Sequence, residues 1–165
     1  MIHTYLLALG SNMRVAGIGS PRAVLAAALK ELEREGIEAR DVAKVIESDA
    51  IGPSLRRYAN GAALVETRHA PRECLAALQD IERRFGRSRA QRMGRRWRAR
   101  ALDLDILLWS GGVWCEPDLI IPHLEMRRRD FVLRPATEIA GQWRDPVTGL
   151  TLAQLKTRLR LHKDA

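Results

Sequence analysis

At 165 residues the chain is long enough for one ordinary domain with a real core, and 46% apolar residues exclude a disordered polymer. No stretch approaches the roughly twenty consecutive apolar residues of a membrane span, and no basic run precedes an apolar one at the N-terminus, so neither a spanning helix nor a secretory leader is expected. The net charge of +8 points to a polyanionic partner (nucleic acid, a membrane surface or a nucleotide), and it is concentrated: nine arginines lie from Arg83 to Arg100, with no acidic residue between Glu82 and Asp103.

In chain order, residues 3–9 read as a strand that ends at the turn sequence Gly10-Ser11-Asn12. Ser20 is a helix N-cap with Pro21 at the first helical position, Leu25, Ala28, Leu29 and Leu32 recur at helical spacing, and Gly36 stops the run. Residues 42–47 read as a second strand, residues 50–57 as a loop around Gly52-Pro53, and residues 62–67 as a third strand paired with the second. Pro71 opens another helix, with Leu75, Leu78, Ile81 and Phe85 on its buried face and Gly86 at its end. The arginine-rich stretch that follows has no apolar period and reads as a long mobile loop. Residues 102–109 are the strongest strand; its second half is apolar on both faces, which predicts a central position. Gly111-Gly112 predicts a hairpin back through Val113 and Trp114. Residues 130–133 read as a last strand, Pro135 as the start of a short helix, and residues 151–159 as a terminal helix.

The order β, α, β, β, α, β predicts a single α+β domain over residues 1–165, a ferredoxin-like sandwich with a mostly antiparallel sheet and helices on one face. The two cysteines, Cys74 and Cys115, lie far apart and outside any CxxC, which fits buried or half-buried thiols in a reducing, cytoplasmic setting.

Asp103-Leu104-Asp105-Ile106 carries the most chemistry. Alternate residues of a strand share a face, so the two carboxylates would stand roughly 6.7 Å apart at Cα. Such a pair repels itself and is costly to bury unless a cation lies beside it. Oxygen ligands suit Mg²⁺, which shares its remaining places with water and phosphate. The plainer reading is two solvated carboxylates paired with arginines. Arg87, Arg89, Arg92, Arg95, Arg96, Arg98 and Arg100 precede the pair. Guanidinium groups grip phosphate oxygens and neutralise charge that develops in phosphoryl transfer, although a solvated charge run or an RNA-binding loop has the same composition. No GxxxxGK[ST] is present, and Gly17-Ile18-Gly19 lacks the context of a dinucleotide fingerprint. His123, between Pro122 and the run Arg127 to Arg129, is placed to bond phosphate or to serve structure. Tyr58 and Asn60 share a face in an extended segment and suit a flat heterocycle, with Phe131 as a candidate opposing plate.

These segments together resemble the 6-hydroxymethyl-7,8-dihydropterin pyrophosphokinases. The resemblance runs through Leu7-Ala8-Leu9-Gly10-Ser11-Asn12, Tyr58-Ala59-Asn60, Gln79 and Ile81-Glu82, Gly86-Arg87-Ser88-Arg89, then Trp97-Arg98-Ala99-Arg100-Ala101-Leu102-Asp103-Leu104-Asp105-Ile106. It closes with Ile121-Pro122-His123, Arg129-Asp130-Phe131-Val132-Leu133 and Pro135. It implies a ferredoxin-like α+β fold and transfer of pyrophosphate from ATP to the hydroxymethyl group of the reduced pterin, with AMP leaving, in folate biosynthesis. It implies two Mg²⁺ ions on Asp103 and Asp105, with Arg87 and Arg100 assisting the transfer. Ile51, Tyr58, Asn60 and Phe131 correspond to the pterin site. Gln79, Glu82, Arg89, Trp97, Ile106, His123 and Arg129 correspond to nucleotide contacts or covers, and the arginine-rich stretch to a loop that closes over both substrates. Ser48-Asp49-Ala50 stands where the family has a Thr-Pro pair, and Leu124 where it often has Tyr.

A monomer that binds ATP and pterin, with no membrane and no nucleic-acid partner, is the expectation. An RNA-binding ferredoxin-like domain is the rival from another class. It would want exposed aromatics on central strands, whereas aromatics are 5% of this chain and the strongest strand presents two carboxylates. A metal-dependent nuclease would want a further acid or lysine near the pair.

Overall fold

The computed structural model describes residues 1–48, 58–86 and 101–164. Five strands form one antiparallel sheet: β1 (His3–Ser11), β2 (Glu38–Val42), β3 (Ile46–Ser48), β4 (Tyr58–Thr67) and β5 (Asp103–Trp109). Their order is β2-β4-β1-β5, with β3 also pairing β4. This is the split βαβ arrangement expected of a ferredoxin-like sandwich. β1 runs two residues beyond its expected end, because Gly10 and Ser11 pair with Asn60 and Ala59.

The helices α1 (Pro21–Arg34) and α2 (Pro71–Arg84) connect the strands. The Oγ of Ser20 accepts from the Ala23 N–H, Pro21 needs no amide donor in the first turn, and Gly36 at φ +76° takes the left-handed turn that closes α1. Pro71 opens α2 in the same way, where the Ala70 N–H donates to the Glu73 carboxylate. Both helices pack on one face of the sheet. Their Leu25, Leu32, Leu78 and Ile81 meet Tyr5, Leu7, Leu9, Leu104 and Ile106 in one core.

The opposite face is covered as well, and here the structure corrects the one-sided expectation. Residues 130–133, read as a strand, belong to α3 (Asp130–Ala140), and α4 (Leu152–Lys163) follows. Val132, Leu133, Ala136, Ile139 and Ala140 follow a helical period that continues through Pro135. Pro135 removes one backbone bond, but its ring is buried and the neighbouring Leu133 and Ala136 are fully enclosed. Tertiary packing outweighs the local penalty. Leu6, Ala62, Leu107, Leu108, Met126, Leu152 and Leu155 complete this second core.

β5 lies at an edge of the sheet rather than at its centre. It is nevertheless apolar on both faces because each face has its own helices. A register shift against Leu6 and Leu7 of β1 lets Leu107 and Leu108 both join the second core. The outer rim of β5 is occupied: the Leu104 N–H donates to the Glu82 carboxylate at 3.1 Å, and the His123 N–H donates to the Leu107 carbonyl at 3.0 Å.

The second expected strand is two strands, with Ala43 between them buried in the second core and the Lys44 N–H donating to the Glu138 carboxylate of α3. The Gly111-Gly112 turn forms, with Gly112 at φ +96°. The strand after it does not return along β5. β6 (Trp114–Glu116) pairs instead with β7 (Leu119–Ile121) in a separate two-stranded sheet. Arg72 of α2 holds this hairpin through a fork to Asp118, at 2.7 and 2.9 Å, and through Glu116. The Arg72 guanidinium, by these bonds, keeps the Asp118 carboxyl below its ordinary value. Trp114 meets Trp109 edge to face at 5.7 Å.

Candidate active site

The site is built on one end of the sheet, on the face that α3 covers only in part. Gly10 of β1 is paired on one side with Asn60 of β4 and on the other with Asp103 of β5. Two residues back, Ala8 is paired with Ala62 and with Asp105. Strand alternation puts Tyr58, Asn60, Gly10, Ala8, Asp103 and Asp105 on one face, and Leu9, Leu104 and Ile106 on the other. A polar row thus crosses three strands over a floor of the two smallest side chains. A Cβ placed on Gly10 would come 3.6 Å from Asn60 Oδ1 and 4.0 Å from Asp103 Cβ, so glycine keeps the space between these groups open. A glycine inside a strand marks such a close approach, and Gly10, expected in a turn, is such a strand glycine.

Asp103 and Asp105 are both half-exposed. Two carboxylates on one face offer hard oxygen donors that fit Mg²⁺. Among the described residues no group of three or more His, Cys, Asp and Glu side chains is placed to hold a metal.

His123 joins the pair from the edge of β5 that faces away from β1. A cis peptide bond links Ile121 and Pro122 just before it. Its Nδ1 accepts from the Glu125 N–H at 3.1 Å, so the neutral ring carries its proton on Nε2, and Nε2 stands 3.9 Å from Asp105 Oδ1. Beside them is an open cavity of about 360 Å³, lined by Leu75, Ile106, Leu119, Ile120, Asp105 and His123. Its apolar walls suit the flat face of a base, and its acidic and imidazole corner lies toward the carboxylate row. Leu119 and Ile120 come from the β6–β7 hairpin, whose pairing was not legible in the sequence. Leu75, on the core-facing stripe of α2 by its helical spacing, is only partly buried and also lines this cavity.

Glu82 is buried on α2, where its carboxylate bonds the backbone between the two aspartates. That contact steadies the strand from the far side. Gln79 lies one turn beyond Leu75 on the same helical stripe, half-buried. Arg129 is the residue before α3, and its guanidinium carbon lies 5.9 Å from the centre of the Phe131 ring. α3 packs on the face that carries the aspartates, so Phe131 at its start is on the side of Tyr58 and Asn60. Five expected site residues, Ile51, Arg87, Arg89, Trp97 and Arg100, lie outside the described residues, as do the loop of residues 50–57 and most of the arginine-rich stretch.

Comparison with known proteins bears on this arrangement. A family model described as 7,8-dihydro-6-hydroxymethylpterin-pyrophosphokinase matches residues 6–141. Two bacterial proteins named 2-amino-4-hydroxy-6-hydroxymethyldihydropteridine pyrophosphokinase are similar throughout. The one from Synechocystis sp. is 36% identical over 93% of this chain and 74% of its own length. The one from Pseudomonas aeruginosa is 41% identical over 88% of this chain and 86% of its own length. Among solved structures, the Plasmodium falciparum HPPK-DHPS wild type with pteroate superposes over 100% of this chain with a TM-score of 0.70 at 12% identity. This chain spans 46% of that longer protein, and at that identity the likeness speaks for the fold.

Proposed function

The chain belongs to the 7,8-dihydro-6-hydroxymethylpterin-pyrophosphokinase family, and we propose that its reaction runs along the polar row of Asn60, Gly10, Asp103 and Asp105. It is an enzyme of folate biosynthesis that transfers pyrophosphate from ATP to 6-hydroxymethyl-7,8-dihydropterin. The observation that carries the placement is the register itself. One strand, β1, which presents only Ala8 and Gly10 at this end of the face, separates Asn60 from Asp103 and Asp105.

On this reading the pterin lies at the Tyr58–Asn60 end. The Asn60 amide is the polar group nearest the heterocycle edge, Tyr58 and Phe131 supply ring faces, and Ile51 belongs to the same site. ATP lies at the β5 end, with its base in the cavity beside Ile106 and near Gln79, and its phosphates toward His123 and Arg129. His123 presents Nε2–H to a phosphate oxygen, because Nδ1 is already engaged by the Glu125 amide. The pterin hydroxymethyl oxygen bonds to the β-phosphorus and gives up its proton to water as the bond from that phosphorus to the oxygen it shares with the α-phosphate breaks, and AMP leaves with that electron pair. Asp103 and Asp105 would hold two Mg²⁺ ions, and such ions, when bound, neutralise phosphate charge and orient the oxygens of an in-line displacement. Arg87 and Arg100 assist the transfer, and Arg89 and Trp97 cover the nucleotide. On this reading the enzyme acts as a monomer in the cytoplasm.

The test is AMP release from ATP with the reduced pterin present and absent, at saturating Mg²⁺. AMP formation that depends on the pterin, one for one with pterin diphosphate, is expected. ATP turnover at the same rate without pterin, or with release of ADP, would overturn the reading.

A further inference from the structure

The family match ends at residue 141, yet the segment beyond it reaches back to the turn between His123 and Arg129. Asp145 is fully buried, and each of its oxygens is used twice. Oδ2 accepts from Arg127 Nε at 2.6 Å and from Thr148 Oγ1 at 2.9 Å; Oδ1 accepts from Arg127 Nη2 at 3.0 Å and from the Val147 N–H at 2.9 Å. Burial pushes its carboxyl upward, but these bonds prevail and hold it below its ordinary value. The loop around it closes on itself through Asp145 N–H to Leu150 carbonyl and Gly149 N–H to Asp145 carbonyl, both at 2.8 Å. With its acceptor capacity filled, Asp145 serves one outside partner, Arg127.

Arg127 lies in the short 3-10 turn Met126–Arg128, between His123 and Arg129. The two ends of this stretch are anchored on different elements. The His123 N–H is bonded to Leu107 of β5, and the Arg129 carbonyl accepts from Val132 and Leu133 at the start of α3. Between them the turn is held from beneath by Met126, which packs with Leu152 and Leu155 of α4, and by the Arg127 fork. The fork of a guanidinium on a carboxylate fixes orientation as well as distance.

We propose that Arg127 and Asp145 are positioning residues whose buried clamp sets the spacing and orientation of His123 and Arg129, so that the segment after residue 141 tunes affinity for the triphosphate of ATP. The inference rests on the reading of His123 and Arg129 as the nucleotide side of the site. A brace that served stability alone would change the folded fraction and leave both Michaelis constants where they were.

The experiment compares the full chain with its Asp145→Asn and Arg127→Lys variants. Arg127→Lys keeps the charge and loses the fork, so it remains informative if Asp145→Asn fails to fold. Steady-state kinetics and calorimetry with a non-hydrolysable ATP analogue and Mg²⁺ are read against melting temperature. The expected result is a rise in KM and Kd for the nucleotide of about tenfold, below the roughly 100-fold that a 1 Å misplacement can cost, with the pterin KM unchanged. Unchanged nucleotide KM and Kd in Arg127→Lys would overturn the clamp's role while the site reading stands. Equal losses of affinity for pterin and nucleotide would overturn it as well. Absence of nucleotide binding by the unaltered chain would instead refute the site reading beneath it.

Discussion

The two faces of β1 and β5 are made from alternate residues of the same strands and do opposite work. On one face Leu7, Leu9, Leu104 and Ile106 are closed under α1 and α2. On the other, at the same end of the sheet, Ala8, Gly10, Asp103 and Asp105 leave a shallow polar floor. The first face supplies stability, at about 1.5–3 kcal/mol for each large apolar side chain removed from water. The second gives up that contribution to keep room for ligands. A period of two lets two four-residue stretches, 7–10 and 103–106, be core and site at once, because neither set needs the other's positions.

That division can be broken from either side. The largest effect is expected from Asp105→Ala, which removes one carboxylate of the row: kcat should fall on the order of 1,000-fold, as for loss of a key transition-state group. The melting temperature should stay near that of the parent, because Asp105 is half-exposed and not a core residue. Full AMP release by this variant would separate the carboxylate face from the chemistry. Next comes Leu7→Ala on the opposite face, where the side chain is wholly buried. It should cost about 2–5 kcal/mol in urea unfolding while leaving kcat per folded molecule intact. A normal unfolding midpoint would mean that this face is not the main store of stability. The smallest effect belongs to Gly10→Ala. The added methyl would meet Asn60 Oδ1 at 3.6 Å and the Ala59 carbonyl at 3.9 Å, which are ordinary contacts, so the fold should be unharmed. It would occupy the floor between the two substrate ends, and kcat/KM should fall roughly tenfold, in the range that one extra carbon costs a fitted pocket. Unaltered kinetics would show that substrates stand clear of β1.

The aspartate row was legible because strand alternation alone puts residues 103 and 105 on one face, whatever surrounds them. The first two helices were legible too, since Ser20-Pro21, Gly36, Pro71 and Gly86 punctuate them strongly. What failed depended on distant partners. Phe131-Val132-Leu133 has strand-like residues, and only packing against Leu6 and Ala62 shows that it is helical through Pro135. The two-sided burial of β5 suggested a central strand, because nothing local announces that α3 and α4 cover the second face. β6 was assigned to the wrong partner since a glycine turn sets where a chain reverses, and not which edge it then finds. Arg127 and Asp145 are 18 residues apart with opposite charges among many, so their pairing had no spacing signature.

The occupied rim of β5 has a consequence for colloidal behaviour. A bare sheet edge is a template on which a foreign chain can add a strand and seed aggregates. Here Glu82 and the His123 backbone take the hydrogen-bonding groups at Leu104 and Leu107, while Glu38, Arg40 and Asp41 put charges on β2 at the far edge. The strand bearing the acidic row can therefore stay uncovered on its working face in a crowded solution without recruiting a neighbour along its side.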